Sequence, residues 1–348
     1  MKPPTPSRLE FYSDDSEAGY ERFALPALGT ENVLLLDPSD LGSGLASEVQ
    51  ATFDLVEQLE AKLSKFRSES EVSLANRLAA RQAVYVGDEV VELVDAAREA
   101  WELTGGAFDP TTAKLSDLWG FTSGQGRVPS DEEIAVARTA SGMDRIEIDR
   151  DEGTVRFRAE GVSLDFGGIG KGYIVDRLVE QLQESGVRSG AVLSGRSTIV
   201  VWGSPPVGER WRVLVAHPEE AEESLATIEL EAGALSSSGA SERFFQIGTE
   251  TYGHIIDPRS GRPAKSSLSA TVWSPDALSG DILSTSLFVL GASALGEGGC
   301  LRQFVTRWSG FEGRDPRATF LVSERDSGSW GGLSKSVVSV GEPGFREL

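Results

Sequence analysis

Hydrophobic positions recur along this chain with two spacings, and each predicts a different element. Across residues 45–63 they fall at Leu45, Val49, Phe53, Val56, Leu59 and Leu63, which puts one apolar face on a helix. A second helix is capped by Asp88, turns Val90, Val91, Val94, Ala97 and Trp101 inward, and ends at Gly105-Gly106. A third carries Ile174, Leu178, Val179 and Leu182 on one face and stops at Gly186. Helices are also predicted over 279–290 and 301–308, and Ser130 with Glu133 makes a capping box on a shorter one. Strands are predicted over 23–36, interrupted by Leu28-Gly29-Thr30, and over 161–166, 191–202, 211–216, 226–231 and 269–274. Hairpins are predicted over 145–158, about Asp151-Glu152-Gly153, and over 243–257, turning near Gly248. Two closing strands fall within 319–340, while 64–71 and 122–130 read as polar loops. Hairpins with interspersed helices predict an α+β fold of mostly antiparallel sheets with packed helices. Residues 1–20 are expected to be a flexible tail and 21–348 a single domain. The alternative is two subdomains dividing near 125–160.

Composition narrows the function more than the fold. The chain has 348 residues, 39% of them hydrophobic, enough for a sizeable core. Its net charge is -21 and its pI about 4.6, which argues against nucleic acid and against an anionic membrane surface as partners. A phosphate-bearing ligand then needs local positive charge or a metal to offset that field. Cys300 is the one cysteine, so the chain has neither an internal disulfide nor a thiolate metal cluster. No run has the length of a membrane span. The start carries Pro3, Pro4 and Pro6 without a signal-peptide core or lipid-anchor cysteine. As written, the expected location is the cytoplasm; a misassigned start would make the protein exported.

The candidate chemistry gathers around residues 164–176, L-D-F-G-G-I-G-K-G-Y-I-V-D. Gly167, Gly168, Gly170 and Gly172 let a backbone approach a ligand closely, a helix start attracts anions, and Lys171 adds charge. A phosphate loop would need glycine at 165 and Ser or Thr at 172, where Asp165 and Gly172 stand. A dinucleotide fingerprint from Gly168 would need glycine at 173, which is Tyr173. The stretch therefore reads either as a holder of phosphate, with or without a metal, or as a plain strand-to-helix turn. Ala107-Phe108-Asp109-Pro110-Thr111 follows a helix end, where an aromatic beside a carboxylate flanks a ring or merely stops the helix. His254, in Gly253-His254-Ile255-Ile256-Asp257-Pro258-Arg259-Ser260-Gly261, lies at a strand end, as a catalytic or a structural imidazole. His217 has no supporting motif and reads as structural. Asp281 and Thr285 stand four apart on a helix, one carboxylate and one hydroxyl suited to a hard cation such as Mg²⁺ or to a polar surface pair.

In order, these segments resemble the FAD:protein FMN transferases, the ApbE family. The resemblance covers about residues 23–295. It rests on Leu28-Gly29-Thr30, residues 66–76, Gly106 to Pro110, Leu118-Trp119-Gly120-Phe121, the 164–176 stretch, Ser237-Ser238-Gly239 with Arg243, residues 253–261 and residues 281–285. It implies an ApbE-like, T-fold-like architecture and transfer of FMN from FAD to a Thr or Ser hydroxyl of a target protein, with Mg²⁺ required and AMP released. It implies FAD contacts at Leu28, Phe66, Ala107, Phe108, Asp109, Asp165, Lys171 and His254. It implies metal ligands at Asp281 and Thr285, with Gly168 and Leu278 ligating through backbone oxygens, and catalysis by His254 and Asp281. His254 is then the base for the incoming hydroxyl or a stabiliser of phosphoryl oxygens, and Asp165 recognises adenine or ribose or takes part in the chemistry. An FAD pyrophosphatase or a non-catalytic flavin-binding protein are the alternatives. The chain departs from the family at Gly195-Arg196-Ser197, where Gly-Gly-Asp is usual and Arg196 instead brings a positive charge. It departs also at Ser241, where Tyr is usual, and at Leu28, which replaces Met.

Overall fold

The computed structural model describes residues 9–11, 19–41, 44–205, 208–220, 223–230, 232–240, 243–308, 317–325, 333–340 and 345–347. Its frame is one eight-stranded sheet whose strands lie side by side in chain order. They are β2 (Glu21–Ala27), β3 (Thr30–Leu36), β7 (Gly190–Ser194), β8 (Thr198–Trp202), β11 (Gly233–Gly239), β16 (Ser269–Ser274), β17 (Ala318–Arg325) and β18 (Leu333–Val340). Every neighbouring pair is antiparallel. Both faces are covered, so the central strands read as continuous apolar runs instead of alternating ones. Leu34, Leu36, Val200 and Trp202 join the core on the helix side. Val33, Leu35, Ile199 and Val201 join Trp211, Val213 and Ile228 on the other. That second face is covered by a four-stranded sheet in the order β1 (Leu9–Phe11), β9 (Trp211–Ala216), β10 (Ser224–Leu230), β19 (Phe345–Glu347). Leu9–Phe11, part of the stretch expected as a loose tail, is thus the outer strand beside β9.

The helices come mainly from the long insertion between β3 and β7. They are α1 (Pro38–Leu41), α2 (Leu45–Leu63), α3 (Glu71–Leu78), α4 (Asp88–Leu103), α5 (Ala113–Leu118), α6 (Asp131–Arg138) and α7 (Gly170–Glu184). A small sheet of β4 (Val84–Tyr85), β6 (Thr154–Phe157) and β5 (Ile146–Asp149) lies among them. Between β11 and β16 come two hairpins, β12 (Phe244–Ile247) with β13 (Glu250–Gly253), and β14 (Ile256–Asp257) with β15 (Arg262–Pro263). Helices α8 (Ala277–Leu290) and α9 (Cys300–Arg307) follow β16.

The structure departs from the expected elements in several places, and Asp88, expected as a cap, is the first residue of α4 instead. The run 191–202 is two strands, not one, because Gly195 takes a positive φ of 62° and turns the chain back. The extended run 161–166 pairs with no strand among the described residues. Asn76 supplies the missing partner: its side chain accepts from Leu164 N at 2.7 Å and donates to Leu164 O at 2.9 Å. Strand β11 escapes a hydrophobic reading because it carries Ser236, Ser237 and Ser238, weak strand formers that are tolerated where α8 packs across them. Helix α3 begins at the end of the predicted polar loop, where Ser70 accepts from Ser73 N at 3.0 Å as its cap. The interruption at Leu28-Gly29 is a two-residue hairpin turn with φ of 58° and 70°, a shape that suits glycine and strains Leu28.

One close approach positions everything that follows. A Cβ on Gly172 would stand 2.4 Å from Ala277 O, so the start of α7 lies directly on the start of α8. Gly172→Ala should therefore force the two helices apart and cost about 1–3 kcal/mol, read as a lower midpoint in urea unfolding. An unchanged midpoint would contradict this packing.

Candidate active site

The site is built where α7, α8 and the Phe108 turn meet. Asp165 caps the short 3-10 turn Phe166–Gly168 by accepting from Gly167 N at 3.0 Å. Its own amide donates to Pro110 O at 2.7 Å, which ties the glycine bend to the Phe108-Asp109-Pro110 turn. Helix α7 then starts, and its Gly172 N–H donates to Asp281 Oδ2 on α8 at 2.9 Å. The other carboxylate oxygen, Asp281 Oδ1, accepts from Thr198 Oγ1 at 3.0 Å. The favour is returned by Asp176 on α7, whose two oxygens accept from Ala277 N at 2.8 Å and Leu278 N at 2.9 Å. Each helix thus lends a carboxylate to the N-terminus of the other, where the exposed amides and the dipole favour negative charge. Desolvation, then the nearby Asp276 and Asp281 carboxylates, push the Asp176 carboxyl well above the ordinary range.

One turn beyond Asp281, Thr285 faces the glycine bend. A Cβ on Gly168 would stand 3.6 Å from the Phe108 ring and 4.0 Å from Thr285 Oγ1, ordinary contact distances that make the three residues neighbours. Ser238 Oγ, on β11, lies 3.4 Å from Thr285 Oγ1 and 3.0 Å from Ser284 Oγ. Asp281, Thr285, Gly168 and Phe108 are therefore one group of neighbours. Ala107 and Phe108 are buried. Lys171 Nζ donates to Ser197 Oγ at 2.6 Å, so its charge is matched by a neutral hydroxyl. Asp165 Oδ2 accepts from Lys65 Nζ at 2.5 Å, and Phe66, next in the chain, is 74% exposed. His254 is half-buried just after β13, its amide donating to Arg243 O at 3.0 Å.

Leu28 sits half-buried in the β2–β3 turn, against the main core. Leu278 lies three residues before Asp281, its amide bonded to Asp176 at the α7–α8 junction, and it also lines a cleft of about 590 Å³ with Glu92, Asp95, Glu99 and Arg177. Arg196 is exposed in the β7–β8 turn, and Ser241 lies outside the described residues. Two of the glycine-bend amides, those of Gly167 and Gly172, serve Asp165 and Asp281. The reading from sequence also missed Thr198, Asp176, Asn76 and Lys65. Asp176 alone left a signal: an acid one turn after Gly172 on a helix that is otherwise apolar at Ile174, Val175 and Leu178.

The residues present fit a hard divalent cation. Asp281 is 7% exposed, its orientation is fixed by the Gly172 amide and the Thr198 hydroxyl, and the Thr285 hydroxyl one helical turn on adds a second hard oxygen donor. Among the described residues no group of three or more His, Cys, Asp and Glu side chains is arranged to hold a metal. A cation here would therefore rest on one carboxylate completed by neutral oxygens.

The ApbE family profile matches residues 28–297, well over half of the chain and all of this site. The chain belongs to the ApbE family. It is 32% identical over 286 residues to a Klebsiella pneumoniae (strain 342) protein named FAD:protein FMN transferase, covering 81% of this chain and 83% of that one. The fold is similar to the crystal structure of the ApbE protein from Thermotoga maritima, with a TM-score of 0.74 and 30% identity over 87% of this chain and 94% of that one. It is equally similar to the apo flavinyl transferase ApbE of Pseudomonas stutzeri, with a TM-score of 0.74, 30% identity, and coverage of 91% and 94%. Among the described residues of this ApbE-family chain, no helix is long and apolar enough to cross a membrane.

Asp109 gives the site a pH signature. Its Oδ1 accepts from Thr111 N at 2.8 Å and Thr111 Oγ1 at 2.6 Å, yet desolvation wins and the carboxyl is pushed up to about 6. A raised carboxyl pKa favours the protonated folded state. The native fold therefore loses stability as pH rises from the unfolded value of about 4 through about 6, by on the order of 3 kcal/mol. Asp109→Asn keeps an acceptor for Thr111 and does not titrate. Its melting temperature relative to the parent should climb between pH 4 and pH 7, and a constant difference would refute the shift.

Proposed function

We propose that this chain transfers FMN from FAD to a Thr or Ser hydroxyl of an acceptor protein and releases AMP. The observation that carries the reading is the meeting of Asp281 and Thr285 with the Gly168 bend and the Phe108 ring. The Klebsiella pneumoniae relative's name supports it. Phosphoryl transfer demands positioning and neutralisation of charge more than covalent help from the protein. The Asp281 carboxylate, the Thr285 hydroxyl and the backbone carbonyls of Gly168 and Leu278 would hold Mg²⁺, which when bound neutralises the diphosphate. Lys171, held by Ser197, meets the same phosphates. Phe108 and Phe66 give apolar faces to the ring systems. His254 takes the proton from the acceptor hydroxyl as its oxygen attacks the FMN phosphorus. The bond from that phosphorus to the bridging oxygen breaks, and AMP leaves with that oxygen and its electron pair.

Purified protein, FAD, Mg²⁺ and a candidate acceptor give the test, with AMP and protein-bound flavin measured together. Both should appear in equal amounts and only with the acceptor. AMP without any acceptor would mean hydrolysis, and bound FAD without AMP would mean a binding protein. His254→Ala should slow transfer by about 10²–10⁴-fold with FAD still bound, and a rate within a few-fold of the parent would remove His254 from the chemistry.

A further inference from the structure

Lys65 lies outside every role assigned so far, and its surroundings are unusual for a loop lysine. Its ammonium sits 2.5 Å from Asp165 Oδ2, with the two side chains only 18% and 24% exposed. The same ammonium lies 5.1 Å from the centre of the Phe66 ring. The loop holding both is fastened to α3: Ser73 Oγ donates to Lys65 O at 3.0 Å and Ser70 Oγ to Ser64 O at 2.7 Å. Helix α3 in turn grips the approach to the bend through the two bonds from Asn76 to Leu164. The Asp165 carboxylate is thus held on both oxygens, by Gly167 N and by Lys65. Of the aromatic rings beside the site, Phe108 is buried at 3% while Phe66 is 74% exposed.

We propose that Lys65 is a positioning residue for the nucleotide: it anchors to Asp165 and holds the exposed Phe66 ring as a platform on which one planar ring of FAD stacks. This rests on the flavin-transferase reading. The charge-assisted bond to Asp165 is the strong end of the arrangement. The contact of the ammonium with the ring sets the position of a side chain that little else packs. An aromatic this exposed costs apolar surface in water, and a stacked ring would cover it. The isoalloxazine and the adenine are both planar and both fit the platform.

Direct binding measured by titration with Mg²⁺ present, using FAD, FMN and AMP separately, tests this without relying on turnover. Lys65→Met should weaken FAD by about tenfold, and Lys65→Arg should stay close to the parent. The same loss should appear with whichever of FMN or AMP carries the stacked ring. In turnover, Lys65→Met should raise KM for FAD while kcat changes little, a split that general loss of structure does not produce. Phe66→Leu provides the control for folding, because that side chain is mostly in solvent, and it should weaken FAD by about tenfold as well. FAD bound by Lys65→Met as tightly as by the parent, whatever Phe66→Leu does, would overturn the role of Lys65 and leave the transferase reading intact. A parent protein that binds no FAD would overturn both.

Discussion

Two helices that cap each other hold this site in place. Asp281 of α8 receives the Gly172 amide of α7, and Asp176 of α7 receives the Ala277 and Leu278 amides of α8. Neither carboxylate is placed by hydrophobic packing alone; each is aimed by amides that would otherwise lack a helical acceptor. The exchange needs backbones in contact, which is why Gly172 has no room for a side chain. With the helices locked in that register, Thr285 falls opposite Gly168, and the late part of the chain meets a bend formed more than a hundred residues earlier.

The lock also sets the electrostatics. A chain of net charge -21 is a poor general host for a diphosphate. At this point the carboxylates are already engaged by amides and a hydroxyl, and Lys171 donates to the neutral hydroxyl of Ser197. The local balance therefore differs from that of the whole surface. Desolvation of Asp176 and Asp109 belongs to the same picture, since carboxyls drawn away from water to hold a turn or a helix end have raised pKa values.

Much of this was legible in the sequence, for identifiable reasons. Helices α2, α4 and α7 show their buried faces as three-to-four spacing, and the Leu28-Gly29 turn interrupts its strand visibly. The family followed from residues that lie far apart in the chain and keep their order. Hidden features were those whose cause is tertiary. Strand β11 is serine-rich because a helix lies across it, and the segment before Asp165 is straight because Asn76 replaces a strand partner. The Gly172 amide looked free for a ligand because its acceptor, Asp281, stands 109 residues away. Lys65 gave no signal at all, since one lysine in a polar loop looks like any other until its carboxylate is seen.

A crystal grown with FAD and Mn²⁺ in place of Mg²⁺ tests the central claim most directly, because manganese scatters anomalously and marks its own position. The account predicts an anomalous peak bonded to Asp281 and Thr285 oxygens beside Gly168, with the diphosphate against it. A peak elsewhere, such as in the acidic cleft beside Glu92 and Glu99, or a diphosphate bound away from the α7–α8 junction, would contradict it.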